Sequence, residues 1–254
     1  MAARKTPQKR GDSEAEFLRS YDASAFERLS VAVAVALLSV VLGRLCTLVL
    51  RRSEHPFRGR VVLPGGFVRP DEALDQTARR VLESKVGIER LYVEQLFTFG
   101  EPGRDPRTRV VSVAYYALVD AQRFHAVCAS RPDLLIANVK VPWAGETGGD
   151  VTLEDADGSE LVLGFDHDAI LGTAVKRLRG KLNYAPIGFQ LLPDEFTLAD
   201  LQRVHEVILD HDLNKDSFRR RMLASGVLEA TGRHLRDVGH RPPELYRFRE
   251  RSAL

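Results

Sequence analysis

The chain has 254 residues, which is enough for one large domain or two ordinary ones. Hydrophobic residues make up 44% and charged residues 28%, so a packed core is expected and wholesale disorder is excluded. A near balance of 37 basic and 35 acidic residues excludes a uniformly basic surface, and affinity for nucleic acid would need a local concentration of charge. Cys46 and Cys128 are too few for a disulfide framework and lack metal-ligand spacing, which favours the reducing cytoplasm.

The N-terminal region predicts a tail followed by two strands. Residues 1–20 begin with the polar, basic run MAARKTPQKR and are expected to form a disordered tail rather than a secretory signal. The apolar stretch from Val31 to Leu50 is interrupted by Gly43 and Arg44, and its Val-Ala alternation has a period of two. It therefore predicts two buried strands with a turn at Gly43, and not a membrane span.

A strand, a tight loop and a helix are predicted next. The run VVLPGGFV enters a Pro-Gly-Gly loop, and Asp71 is the expected cap of a helix that carries Glu72 in its first turn and ends at Gly87. Two β-prone runs, LYVEQLFTFG and VVSVAYYALV, then flank the loop EPGRDPRTR. This alternation of strands and helices indicates an α/β (α+β) fold class.

The second half of the chain predicts a different unit. A helix is expected from Phe165, followed by a short strand over IGFQLL. Thr197 is the predicted cap of a helix that ends at Leu209, and Asn214 caps a second helix that ends at Gly226. VLEATG and ELYRFR predict a hairpin around a basic loop. This order of elements is that of a winged helix-turn-helix.

The segment GFVRPDEALDQTARRVLESKVGI, residues 66–88, resembles the Nudix box. The positions that match its pattern are Gly66, Glu72, Arg80, Leu82, Gly87 and Ile88. The resemblance implies a Nudix α/β/α sandwich with a mixed sheet. The segments VEQLFTFGEPGRDPRTRVVSVAYYAL, HPFRGRVVLPGGFV and LGFDHDAIL further resemble the Nudix-related transcriptional regulators of NAD metabolism. That resemblance implies a bacterial repressor of NAD synthesis or salvage genes, with ADP-ribose or a related NAD metabolite as its effector.

The departures from the Nudix pattern bear on catalysis. The family's catalytic glutamates would fall at positions occupied here by Val81, Ser84 and Lys85. Because hard divalent cations require oxygen ligands, we expect no bound metal, no other cofactor and no hydrolysis by the family's route. Lys85 is either an ordinary solvated lysine or a cation that holds a diphosphate in place of the lost metal.

The candidate effector-binding residues combine cations with a loop that resembles an anion clamp. Asp105 is expected to accept a ribose hydroxyl or to orient an arginine, although a structural salt bridge to Arg107 is the alternative. Arg80 is also expected to brace the loop before its helix, as the matching arginine does in the family. Phe97 and Phe99 are either core residues or a stacking platform for adenine. The predicted effector-binding set is Arg51, Gly66, Phe67, Arg80, Lys85, Arg104, Asp105 and Arg107.

The candidate DNA-binding residues lie on the second helix of the helix-turn-helix and on the wing. Phe218, Met222 and Leu223 are expected to face the core, and Ser217, Arg220 and Arg221 to reach the major groove. Lys215 and Arg219 are better placed for phosphates, with further backbone contacts from Arg233, Arg236 and Arg241 in the wing. A merely solvated basic face is the alternative.

Taken together, the sequence predicts a cytoplasmic repressor with three regions: the tail 1–20, a Nudix-like effector domain 21–182 and a winged domain 183–254. Its expected partners are operator double-stranded DNA, the effector and a second copy of the chain in a homodimer, with no membrane. One alternative is an active ADP-ribose pyrophosphatase that uses Glu72, Glu83 and a loop carboxylate, Glu146 or Asp150. Another is a Nudix-fold sensor that binds a protein. His167 is expected in capping or domain packing, and Trp143 in the core or at an interface.

Overall fold

The computed structural model describes residues 13–182, 185, 187–235 and 242–249. A central sheet has the strand order β5-β6-β1-β2-β7-β8, with β3 paired to β2 and β4 to β1. Its strands are β1 (Ser30–Val41), β2 (Arg44–Arg51), β3 (Val61–Val62), β4 (Gly65–Phe67), β5 (Tyr92–Phe99), β6 (Val110–Leu118), β7 (Leu134–Lys140) and β8 (Thr152–Glu154). β1 runs parallel to β6 and antiparallel to β2, so the sheet is mixed, as predicted.

Helices cover both faces of this sheet. On one face lie α2 (Leu74–Val81), continued by a π-helical turn at Leu82–Val86, and α3 (Ala121–Ser130). The opposite face is covered by α4 (His167–Lys181). The α/β/α sandwich is therefore confirmed, and the sequence reasoning missed only α3 and the strands after it.

The strands β1 and β2 confirm the interpretation of the apolar stretch near the N-terminus. They meet at a turn in which Leu42 and Gly43 both have positive φ, of 48° and 74°. Apart from the residues near each end, both strands are buried, because the two faces of the sheet are covered. Within the part of the chain that the structure describes, no helix has the length and apolar character that crossing a bilayer requires.

The winged helix-turn-helix consists of α5 (Leu198–Leu209), α6 (Lys215–Ala224) and the antiparallel hairpin β9 (Leu228–His234) with β10 (Glu244–Phe248). Thr197 and Asp200 form the predicted capping box of α5, and Asn214 caps α6. The turn between the helices is braced by Glu206, whose side chain accepts the backbone N–H of Leu213 at 2.9 Å.

The buried core of the winged unit is continuous with the core on the α4 face of the sheet. Phe196, Leu201 and Phe248 belong to the same cluster as Leu171 and Leu178 of α4 and the inward side chains of β1. The two units therefore share one hydrophobic interior.

Four expectations about local structure are wrong. Residues 14–20 of the predicted tail form helix α1 (Glu14–Ser20), because Ser13 and Glu16 make a capping box. Asp71 does not cap α2, which starts at Leu74. The expected strand over IGFQLL is a 3₁₀ helix, Ile187–Leu191. Leu223 is 44% exposed rather than facing the core. Residues 1–12 lie outside the described part.

Candidate functional site

A cleft of about 490 Å³ opens beside β1, β4 and the residues that precede α4. Seven of the eight predicted effector-binding residues line it, together with one further arginine, Arg52. The predicted residues that line the cleft are Arg51, Gly66, Phe67, Lys85, Arg104, Asp105 and Arg107, which leaves Arg80 outside it.

 The same wall holds Glu54, Ser112, Phe165 and His167, which sequence reasoning did not assign to an effector site.

Arg104 and Asp105 are tied into ion pairs at the base of the cleft. Arg104, whose side chain is 5% exposed, donates to both carboxylate oxygens of Asp166 at 2.5 and 2.8 Å. Asp105 accepts two N–H groups of the Arg107 guanidinium at 3.0 and 2.7 Å, and these hydrogen bonds lower the pKa of the Asp105 carboxyl. The alternative in which Asp105 and Arg107 form a salt bridge is thus the one that the geometry shows.

Aromatic rings line the cleft beside these cations. The Arg107 guanidinium lies 5.6 Å from the ring of Phe67 and 5.8 Å from that of Phe165. Phe67 is 47% exposed, so one side of its ring is available to a planar group. Phe97 and Phe99, in contrast, pack edge to face at 5.4 Å on β5 and do not line this cleft.

Arg80 braces the loop that forms one wall of the cleft. It donates to Glu72 at 2.5 and 2.7 Å and to the carbonyl of Phe67 at 3.0 Å. The hydrogen bonds from Arg80 lower the pKa of Glu72 to about 2, so this carboxylate stays ionised. This geometry agrees with the bracing role predicted for Arg80. It does not agree with the prediction that Arg80 faces the effector, because Arg80 does not line the cleft.

The residues at the family's catalytic positions do not fit a magnesium ion. Val81 is buried, the Ser84 hydroxyl donates to the carbonyl of Arg80 at 2.6 Å, and Lys85 brings a positive charge to the cleft. Glu72 is already engaged by Arg80. Among the described residues, no three His, Cys, Asp or Glu side chains come together as a metal site would require.

His167 and Trp143 connect α4 to its surroundings. His167 is buried, and its Nδ1 accepts the backbone N–H of Leu63 at 3.0 Å, while burial lowers the pKa of its ring to about 4. The neutral ring therefore serves packing, as the sequence suggested. The indole of Trp143 donates to the carbonyl of Gly149 at 3.1 Å and lies under the guanidinium of Arg179.

The exposed face of α6 presents most of the predicted DNA-reading residues. Lys215, Ser217, Arg219 and Arg220 are exposed, and Phe218 is buried beneath them. Arg221 is exposed as well, and its guanidinium lies 5.5 Å from the ring of Phe218, which stands three positions earlier on the helix. It therefore flanks the apolar side of the helix, and its contact with DNA stays a prediction.

Of the three arginines predicted in the wing, one lies among the described residues. Arg233 on β9 forms an ion pair with Glu195 while its side chain stays 68% exposed. The predicted Arg236 and Arg241 lie outside the described residues. The hairpin is joined to the rest of the unit by an antiparallel β-bridge between Phe196 and Tyr246. This bridge takes the place of the short strand predicted over IGFQLL.

Fold and site together define a Nudix-type domain, whose described residues form no metal-binding cluster, joined to a winged helix-turn-helix. Comparison with protein-family descriptions agrees with both parts. Residues 28–135 match the NUDIX domain, and residues 188–248 match the NrtR DNA-binding winged helix domain.

Individual relatives extend this likeness over most of the chain. It is 38% identical over 238 residues to the ADPR-responsive transcriptional repressor of Acinetobacter baylyi, covering 93% of this chain and 88% of that one. The chain belongs to the NrtR family of transcriptional repressors.

Solved structures show the same arrangement. The crystal structure of Shewanella oneidensis NrtR complexed with a 27mer DNA is similar at a TM-score of 0.72 and 35% identity, covering 86% of this chain and 93% of that one. A MutT/nudix family protein from Enterococcus faecalis is similar at a TM-score of 0.71 and 26% identity, covering 93% and 94%.

Proposed function

We propose that this protein is a transcriptional repressor of NAD synthesis or salvage genes. Its winged domain binds operator double-stranded DNA, and ADP-ribose or a related NAD metabolite in the Nudix-type cleft releases it. The observation that carries the proposal is a cationic cleft without a metal-binding set, built onto the same core as a DNA-reading unit. Similarity to a repressor described as ADPR-responsive supports the choice of effector.

The charge of the cleft suits a diphosphate. Arg51, Arg52 and Lys85 line it without an ion pair to any residue that the structure describes, whereas Arg104 and Arg107 are each paired with an aspartate. A diphosphate carries two or more negative charges and accepts hydrogen bonds from guanidinium and ammonium groups. The cleft volume lies within the range of small-molecule sites. Phe67 offers a ring face to the base, and Glu54 a carboxylate to a ribose hydroxyl.

The proposed activity excludes rapid hydrolysis of the effector. A Nudix hydrolase needs several carboxylates around Mg²⁺ to neutralise the diphosphate and to position water. Here Lys85 replaces one of these acids, Ser84 is bonded to its own helix, and Glu72 is held by Arg80. Binding without metal, and without turnover, follows from that donor set.

On the DNA side, we propose that α6 lies in the major groove. Ser217 and Arg220 then read base edges, and Lys215 and Arg219 contact phosphates. Arg233 adds a backbone contact from the wing once DNA competes with Glu195. We further propose a cytoplasmic homodimer that places two such helices on a near-palindromic operator, with the domain division at residues 182 and 183.

The test uses the purified full-length protein and a fluorescent 27-bp duplex selected from a random pool for binding to it, the length matching the relative's DNA complex. Fluorescence anisotropy then gives the DNA Kd with and without ADP-ribose. We expect ADP-ribose to weaken DNA binding, and AMP to weaken it less because it lacks the diphosphate. DNA affinity that does not respond to ADP-ribose would contradict the proposal.

A second assay addresses the alternative of an active pyrophosphatase. The protein is incubated with ADP-ribose and Mg²⁺, and AMP is measured by chromatography. We expect no release above the level without protein. Metal-dependent release of AMP over many turnovers would establish hydrolysis instead.

A further inference from the structure

Helix α4 begins at the wall of the effector cleft. Phe165 and His167 line the cleft, and Asp166 between them is the residue that precedes the first helical turn. The carboxylate of Asp166 does not cap its own helix, because both oxygens accept N–H groups of Arg104. The start of α4 is therefore attached to a cation that a diphosphate would attract.

The backbone at this junction is strained. Phe165 has a φ of 59°, a left-handed conformation that is unfavourable for a bulky side chain. Its ring is held by an edge-on contact with Phe57 at 4.8 Å and by the Arg52 guanidinium at 5.3 Å. Since Arg52 and Arg107 line the cleft and both lie against the Phe165 ring, a ligand that moves either guanidinium also changes how α4 begins.

The C-terminal end of α4 contacts the helix-turn-helix through Arg179. Arg179 is 2% exposed, and it donates to the carbonyl of Ile208 in the last turn of α5 at 2.7 Å. It also donates to the carbonyls of Trp143 and Gly145 at 3.0 Å each. Its buried guanidinium thus bonds three neutral carbonyls, and burial lowers the pKa of the group.

This arrangement ties three segments to one side chain. Burying a cation is costly, and the nearby Asp210 carboxylate offsets only part of that cost, so the value of Arg179 lies in the geometry that its planar guanidinium imposes. The fixed spread of its N–H groups sets the position of α5 relative to α4 and to the Trp143 loop.

The body of α4 connects these ends as one rigid piece. Its 15 residues span about 22 Å. Lys181 and Arg177 pair with Glu94 on β5, while Leu171 and Leu178 lie in the core shared by the two units. A displacement at the cleft end therefore reaches the α5 end instead of being absorbed by a loop.

We infer that α4 couples the effector cleft to the reading helix, with Arg104–Asp166 as its ligand-sensitive end and Arg179 as the positioning residue at the other. The effector's diphosphate competes with Asp166 for Arg104, the junction at Phe165 relaxes, and α4 carries α5 and α6 away from the DNA-competent position. The inference rests on the proposed function and names the residues of its coupling.

The experiment measures a coupling ratio, which is the DNA Kd at saturating ADP-ribose divided by the DNA Kd without it. Wild type is compared with Arg179→Gln and with Lys176→Gln, a matched control on the solvent side of α4 whose ammonium reaches only the carbonyl of Thr147. We expect a ratio of about 10 or more for wild type and control, and below about 3 for Arg179→Gln. Calorimetry is expected to give similar ADP-ribose affinities for all three proteins. A general loss of structure in Arg179→Gln would instead weaken its binding of ADP-ribose.

Asp166→Asn tests the cleft end of α4, and it replaces Arg179→Gln as the test variant if that variant fails to fold. The Asn side chain binds Arg104 less strongly than Asp166 does, which shifts the protein toward its effector-bound arrangement. We therefore expect ADP-ribose to bind several-fold tighter and DNA to bind more weakly in the absence of effector. The coupling ratio is then smaller than in wild type. A folded Arg179 or Asp166 variant that keeps the wild-type ratio would overturn the inference. A ratio of one in wild type and control would instead refute the proposed function.

Discussion

Lys85 provides a sharp test of how the cleft holds its ligand. Its ammonium lines the cleft in solvent contact, where the effective dielectric constant lies between that of water and about 20. One ammonium–phosphate contact at about 4 Å is then worth between about 1 and 4 kcal/mol before desolvation, and for an exposed side chain we take half of this as the net value, about 0.5–2 kcal/mol. A net loss of about 0.5–2 kcal/mol corresponds to roughly 2- to 30-fold weaker binding.

The assay is calorimetric titration of ADP-ribose into wild type, Lys85→Ala, Lys85→Glu and Lys140→Ala. Lys140 is the matched control, since it is an exposed lysine that pairs with Glu154 on the neighbouring strand and does not line the cleft. We expect Lys85→Ala to weaken binding as calculated, Lys85→Glu to weaken it further, and added salt to narrow the differences. If Lys85→Ala binds as tightly as the control at low salt, Lys85 is a solvated lysine and the reasoning fails.

Three further predictions concern stability and DNA binding. Burial lowers the pKa of His205 to about 4 from its ordinary value of about 6.5, so the unfolded chain takes up the proton first and stability falls as the pH falls through this interval. At pH 5 this loss is about 2 kcal/mol, and His205→Leu is expected to remove it from the pH dependence of urea denaturation. Thr197→Ala removes the capping box of α5 and is expected to cost about 1 kcal/mol in the same denaturation assay, with Ser225→Ala as a control. Arg220→Ala with Arg221→Ala is expected to abolish operator binding in the anisotropy assay while ADP-ribose binding persists; retained operator affinity would refute the assignment of α6. Of the two single variants, Arg220→Ala is expected to have the larger effect, because Arg221 lies against Phe218.

The sequence predicts correctly those turns and helix ends that are stabilised by residues close together in the chain. Gly43 interrupts an apolar run at a turn with positive φ, and Thr197 and Asn214 make the capping bonds that their positions suggest. The segment Ile187–Leu191 has the apolar composition of a short strand but forms a 3₁₀ helix. The bridge that such a strand would make to the wing is supplied by Phe196, so long-range packing decided the outcome.

The sequence predicts which types of residue form the candidate site, but it predicts their hydrogen-bond and ion-pair partners less well. The GRDPR loop predicts Arg104 and Arg107 and the Nudix-like segment predicts Lys85, whereas Arg52, which also lines the cleft, is not predicted. The pairing of Arg104 with Asp166, separated by 62 positions, depends on how α4 crosses the sheet. The contact of Arg221 with Phe218 could have been read from the sequence, since a spacing of three positions places two residues side by side on a helix.

The positions that keep the Nudix pattern and those that depart from it differ in what they do in this fold. Glu72 and Arg80 hold the loop through the carbonyl of Phe67, and a side chain at Gly66 would lie 3.3 Å from Val81. Each of these contacts shapes the cleft whether or not a metal is bound. Lys85 and Ser84 stand where the pattern requires acids, and no described residue needs an acid there for folding. A scaffold that keeps the bracing residues and lacks the acids retains the shape of a diphosphate site without the means to activate water, which is what a receptor requires.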